Sequence, residues 1–217
     1  REIKPLPYVS AFFEDCMESG KDLTEGGAKY NGTGPQASGM ATCADELSTI
    51  KQLVFDEKKV TGAELLQAVR DNWEGHEKLY ALVNSSKLHH YGNDDDYADE
   101  LFKYMFECYC RHISGRENTR GGHFSPGVYS VNANVAMGLN TNASVDGRKK
   151  GEAISDNMGP VHTDAGSHDI CGPTALTNSL TKVDHSLATN GTLMNLRFPQ
   201  EAVAGIEGRD NLISFID

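Results

Sequence analysis

A chain of 217 residues, 38% hydrophobic and 24% charged, is long enough to bury a core and too apolar to be disordered. Its formal net charge of −11 argues against a nucleic-acid partner, which would need clustered Lys and Arg. No apolar run approaches a bilayer span and no signal peptide opens the chain, so no membrane contact is expected. Five cysteines without a framework spacing fit reduced thiols in a cytoplasm.

Pro5 and Pro7 introduce Tyr8, Phe12, Phe13 and Cys16 at helical spacing, a helix that ends at Gly20. Gly26 and Gly27, after Glu25, permit a close backbone approach that a Cβ would block. Residues 32–39 form a loop whose Gly32-x-Gly34-x-x-Ala37 imitates a dinucleotide fingerprint; no buried apolar strand precedes it, so that reading fails. Ala44, Leu47, Ile50 and Val54 place a helix over Met40–Phe55, and the capping box Thr61-Gly-Ala-Glu64 opens another that runs to about Val83.

The acidic run Tyr91–Asp96 is no calcium loop: an EF-hand opening at Asp94 would have Ala98 and Met105 where oxygen ligands are needed. Asn93 or Asp94 instead caps a helix, with Tyr97, Leu101, Tyr104, Met105 and Cys108 as its buried stripe. Cys108 and His112 share a face of it while Cys110 points away, which makes Cys108 a core residue and not a zinc ligand. The remaining histidines form no helical pair at four-residue spacing, and no metal site is expected.

Between Arg120 and Glu152 lies the stretch around which the chain is organised. Val128, Ser130, Asn132 and Asn134 alternate with Tyr129, Val131, Ala133 and Val135, a period of two that predicts a two-faced strand. Arg148, Lys149 and Lys150 read as a solvated corner. Residues 159–178 read as a loop before a helix starting near Thr174, Leu193–Phe198 as a strand, and Gly208 onward as a final helix.

The run HFSPGVYSVNANVAMG followed by DGRKKGE, together with TEGGAKYN, YGNDDD, GPTA and GTLMN in order, resembles the C-terminal half of the glycyl radical enzymes, the pyruvate formate-lyase-like family. Two family motifs are missing, the Gly-Cys-x-Glu catalytic loop and the Arg-Val-x-Gly-Tyr radical loop. The resemblance therefore implies that residues 1–217 are a partial barrel domain from between them, inactive alone. Its implied class is α/β: part of a ten-stranded barrel, many helices with short strands.

The resemblance further implies a lyase that stores a radical on a backbone glycine, installed by an iron–sulfur activating enzyme using S-adenosylmethionine, and passes it to a cysteine. It implies a small-molecule substrate, no cofactor held by this chain, and a homodimer or hetero-oligomer. Within the family the wording resembles the arylacetate decarboxylases, particularly 4-hydroxyphenylacetate decarboxylase. Glu25 would then be the acid–base residue at a phenol hydroxyl, and Tyr129, Val131 and Ala133 would contact the ring. A glycerol or diol dehydratase, or a choline trimethylamine-lyase, is the alternative; a non-catalytic binding or replacement module is a reading of another class.

Overall fold

The computed structural model describes residues 4–216. Its first segment holds two short helices, α1 (Pro7–Ser10) and α2 (Cys16–Ser19), in place of the continuous helix expected. Asp15 enters α2 with φ of 73°, and Tyr8, Phe12 and Phe13 stay exposed. The break is set by Asp22, whose carboxylate accepts hydrogen bonds from Leu6 N, Ser10 Oγ, Thr24 N and Thr24 Oγ1 at 2.7–2.9 Å. Gly26 and Gly27 do what was expected of them. A Cβ on Gly26 would meet the Arg120 carbonyl oxygen at 2.5 Å, and one on Gly27 the Lys21 carbonyl oxygen.

Extended segments then lie side by side, joined by isolated bridges and not by long ladders. Thr33 pairs with Phe124, Gln36 with Gly127 and Val128 with Thr192, all parallel. Leu193 N donates to the Val128 carbonyl and Met158 N to the Leu193 carbonyl, which brings a fourth segment alongside.

Helix α3 (Met40–Ile50) and the π-helical stretch that continues it to Asp56 cover the helix expected over Met40–Phe55, whose second part winds more loosely than an α-helix. Its first turn is tied to the Ser155 segment by a reciprocal pair, Thr42 N to Ser155 Oγ at 3.0 Å and Ser155 N to Thr42 Oγ1 at 2.8 Å. The capping box is present: Thr61 Oγ1 accepts from Glu64 N while Glu64 accepts from Thr61 N. The helix it opens, α4 (Gly62–Arg70), stops earlier than predicted. Asn72 and Trp73 take positive φ so that the indole enters the core, and the chain resumes as α5 (Glu77–Val83).

Helix α6 (Asp96–Ile113) is capped by Asp95, whose side chain accepts from Tyr97 N at 3.0 Å. Its buried face is Ala98, Asp99, Phe102, Phe106 and Cys110, a step round from the predicted stripe. Tyr104 and Cys108 are exposed, so the core cysteine of this helix is Cys110. The sequence offers two apolar stripes, and the packing of α3 on α6 selects the smaller-residue one.

The predicted strand over 128–135 also gives way. Val131 turns with φ of 57° and α7 (Ala133–Leu139) begins immediately. Its polar side is the buried one: Ser130 N donates to Asn157 Oδ1 at 2.5 Å and Asn134 Nδ2 to the Ile154 carbonyl at 3.3 Å. Val131 faces outward, 71% exposed. The expected basic corner is corrected likewise. Arg148 is fully buried and donates to Ser144 Oγ and to the carbonyls of Asn142, Lys149 and Glu152; of the three basic residues Lys150 is the exposed one.

A two-residue hairpin, β1 (His162–Thr163) against β2 (Gly166–Ser167), precedes α8 (Pro173–Thr181). Two helices close the described chain, α9 (Gln200–Val203) and α10 (Gly205–Ile216), the latter starting three residues before the predicted Gly208. Two apolar clusters result. One joins α3, α6, α8 and Val128; the other joins Leu53, Leu65, Trp73, Val83 and Ala143. No described helix is long and apolar enough to cross a membrane.

Candidate functional site

A cleft of about 690 Å³ opens between the 131–135 turn, the 153–162 segment, the start of α8 and residues 195–202, a volume suited to a small ligand. Its polar groups converge on Asp156. That carboxylate accepts from Ser130 Oγ at 3.1 Å, Asn157 Nδ2 at 2.5 Å and Asn195 Nδ2 at 3.0 Å. Arg197 lines the same cleft, exposed and without an ion pair among the described residues. Val131, Leu196 and Phe198 supply apolar wall. A second hollow of about 400 Å³, between Pro35, His112, Ile113, Arg116 and Phe124, contains no acid and no comparable convergence of hydrogen bonds.

The run that carries Asn195 and Arg197 has alternating faces. In 192–197, Thr192, Met194 and Leu196 are half-buried while Leu193, Asn195 and Arg197 are exposed. Pairing of this run with Val128 and Met158 fixes that alternation, which is why Asn195 and Arg197 come out on one side. The period-two pattern was visible in the sequence, and it alone could have picked out both residues. Asp156 had no such signal, because it depends on a loop folding under Ser130.

Of the residues singled out by sequence, Val131 lines the cleft. Tyr129 is half-buried, its hydroxyl 3.5 Å from Asn190 Nδ2, and Ala133 is half-buried at the start of α7; neither contributes to the cleft wall. Glu25 sits exposed at the end of a 3₁₀ turn (Leu23–Glu25) that Asp22 caps, outside this cleft. The cysteines are all free thiols; Cys16 and Cys110 are buried and burial pushes both thiols up, Cys110 to about 11, so neither is an activated nucleophile here.

Ionisable groups that do not line the cleft gather around α3. Asp45 on α3 accepts from Tyr91 N at 2.7 Å and lies 3.0 Å from His168 Nδ1. Burial pushes its carboxyl up to about 7, Glu46 up to about 7 and Asp146 up to about 6. The same loss of water pushes His90 down to about 4 and lowers His168.

The family model described as pyruvate formate lyase-like matches residues 1–138. The chain is 86% identical over its whole length to the (2S)-3-sulfopropanediol dehydratase of Klebsiella oxytoca, of which it covers 26%. It is 32% identical to the 4-hydroxyphenylacetate decarboxylase glycyl radical subunit of Clostridium scatologenes, covering 97% of this chain and 26% of that one. Among solved structures, the glycerol-bound B12-independent glycerol dehydratase of Clostridium butyricum superposes with a TM-score of 0.84 at 40% identity, over 98% of this chain and 26% of that one. The chain thus spans about a quarter of the length of these relatives.

Proposed function

Because this chain belongs to the pyruvate formate lyase-like family of glycyl radical enzymes, with the α/β-barrel fold of its solved neighbours, we propose that it is part of a dehydratase acting on a small vicinal diol that carries an anionic group. The observation that carries this reading is the 86% identity, unbroken over 217 residues, to a dehydratase of a sulfonated diol. The decarboxylase expected from sequence is supported by far less, 32% identity, and the dehydratase alternative replaces it.

Dehydration converts a vicinal diol into a carbonyl compound and water: a hydrogen leaves one carbon, a hydroxyl leaves its neighbour. In this proposal the radical that removes the hydrogen comes from the family's cysteine and glycine loops, which this sequence does not contain, and an activating enzyme installs it. What this chain supplies is binding. Arg197 offers a planar cation to an oxyanion such as a sulfonate, which guanidinium recognises through paired N–H donors. Asp156 and Asn195 offer an acceptor and a donor to hydroxyls, and Val131 and Phe198 cover the carbon chain while excluding water. Glu25 remains a candidate acid–base residue, and Tyr129, Val131 and Ala133 candidate substrate contacts, within the whole enzyme. A homodimer is part of the same proposal.

The test is anaerobic turnover by the whole enzyme, activated and offered 3-sulfopropanediol, glycerol, propane-1,2-diol and 4-hydroxyphenylacetate in parallel. Preference for the sulfonated diol supports the reading; turnover of uncharged diols alone removes the anion-binding role and keeps the dehydratase; turnover of the arylacetate removes both. Arg197→Gln should raise KM for the sulfonated diol by about tenfold to a hundredfold, the worth of a charged hydrogen-bond pair, and leave KM for glycerol near its original value.

A further inference from the structure

Asp45, His90 and His168 come from three distant parts of the sequence, α3, the turn before α6 and the residue after β2, yet their donor atoms all lie within 4.8 Å of one another. Each is at least 95% buried. No pair of them is close enough in sequence to form a ligand motif, which is why a search by spacing passes over them.

Hydrogen bonding decides which atoms of the trio have lone pairs to offer. Asn84 Nδ2 is committed to the Tyr80 carbonyl at 2.9 Å, so its Oδ1 faces outward and accepts from Thr163 Oγ1 at 3.2 Å. That same Oδ1 lies 3.4 Å from His168 Nε2, which must therefore carry the proton. His168 Nδ1 is then a bare lone pair, and it points at Asp45 Oδ2 across 3.0 Å. Two acceptors at that separation need a positive centre between them. A proton would serve this pair but would do nothing for His90, whose ring stacks on His168 at a centroid distance of 4.0 Å. His90 Nδ1 is 3.9 Å from Asp45 Oδ1, the Val83 carbonyl bears on its ring, and neither ring nitrogen has a hydrogen bond of good geometry.

We propose that Asp45, His90 and His168 form a buried binding site for one divalent transition-metal ion of the zinc class. Two imidazoles and a carboxylate suit such an ion, and ligands about 2.0–2.1 Å from a tetrahedral centre sit about 3.3 Å apart, close to the spacing of His168 Nδ1 and Asp45 Oδ2. Asn84 plays the supporting part that metal-bound imidazoles require, accepting the proton of the nitrogen that faces away from the ion. None of the three donors lines the cleft, so the ion is structural: it fastens α3 and the turn before α6 to the segment whose next residue, Asp169, does line it. The proposal is independent of the substrate reading.

The full chain, produced in zinc-supplemented medium and gel-filtered, should hold close to one zinc by atomic emission. Stripping it with a chelator should lower its melting temperature by several degrees, and adding Co²⁺ should restore the melt and give the visible absorption of a tetrahedral cobalt centre. His90→Gln and Asp45→Asn should each weaken metal affinity by at least about tenfold. Cys108→Ser, which removes the exposed thiol 3.6 Å from His112, should leave metal content unchanged. The site is disproved if the wild-type chain holds no stoichiometric metal and its melt ignores chelator and Co²⁺. Loss of the ion in Cys108→Ser, or its full retention in His90→Gln, disproves it equally. Because the chelator and cobalt measurements use the unaltered chain, misfolding of a variant does not leave the question open.

Discussion

The interior around α3 and α6 and the wall of the cleft are built from similar residues and treat them in opposite ways. In the interior, the apolar side chains Leu53, Phe102 and Phe106 are wholly buried, and ionisable groups such as Asp45 and Asp146 are buried with them, each given hydrogen-bond partners. At the cleft, the polar side chains Ser130, Asn134 and Asn157 are the buried ones and Val131 and Val135 face outward. The reason is local accounting of hydrogen bonds. Turning at Val131 aims the backbone N–H of Ser130 at Asn157, and an unpaired buried N–H costs more than an exposed valine. Val131, Val135 and Phe198 thus leave apolar side chains exposed around one cavity.

The contrast is sharpened most by truncation in the interior. Phe102→Ala should destabilise the chain by about 3–5 kcal/mol in urea unfolding, because Phe102 stacks on Tyr91 at 4.0 Å and nothing nearby can refill the space. A loss below about 1 kcal/mol would mean that α3 and α6 are not the tight half of the molecule.

Gly138→Ala should rank second, at roughly 1–3 kcal/mol, since the new methyl would meet the Glu152 carbonyl oxygen and lie 2.6 Å from Ala153 Cα. Both are backbone, so the clash cannot be relieved by a rotamer. The same variant should disturb substrate affinity in the whole enzyme, because α7 and Ala153 both border the cleft.

Removal of the helix cap by Thr61→Ala should cost about 1 kcal/mol and leave the cleft untouched. Thermal melts of this variant, alone and combined with Gly138→Ala, should add, since the two sites share no partner.

Acid should loosen the N-terminal segment before it loosens the interior. Hydrogen bonds from the Thr24 hydroxyl and N–H, opposed by partial desolvation and helped by Ser10 and Leu6, hold the Asp22 carboxyl down to about 2. A carboxyl lowered on folding contributes stability above its unfolded value, about 3.9, and loses it as pH falls toward 2. Protection of the Thr24 and Ser10 amides, taken relative to their intrinsic exchange rates, should therefore fall between about pH 4 and pH 2, and Asp22→Asn should abolish that dependence. Protection that stays constant over this range would detach Asp22 from the folding of this segment.

The smallest effect is expected at the cleft itself. Val131→Ser should alter stability by no more than about 0.5 kcal/mol, as is usual for an exposed position, while lowering the binding of a hydrophobic dye. A loss comparable to that at Phe102 would show that the cleft wall is packed and not open.

Where a signal was local, the sequence determined the outcome by itself. The capping box at Thr61–Glu64, the helix over Met40–Phe55 and the need for Gly26 and Gly27 rest on contacts within a few residues or on the absence of a Cβ, and each is found as read. The family was legible too, because its motifs recur in order, and two of the relatives it matches cover 100% and 98% of the chain. Tertiary structure decided everything that required choosing between local equals. Helix α6 carries two apolar stripes, and only α3 and α8 determine that Phe102 and Phe106 go inward while Tyr104 stays outside. The alternation from Val128 to Val135 has two faces, and the remote carboxamide of Asn157 decides that Ser130 is held inside. Arg148 is a surface residue by composition and a buried one by circumstance, since three backbone carbonyls and a serine hydroxyl happen to converge on its guanidinium. The convergence of Asp45, His90 and His168 lies furthest from sequence, because 45 and 78 residues of chain separate donors that folding places within 4.8 Å of one another.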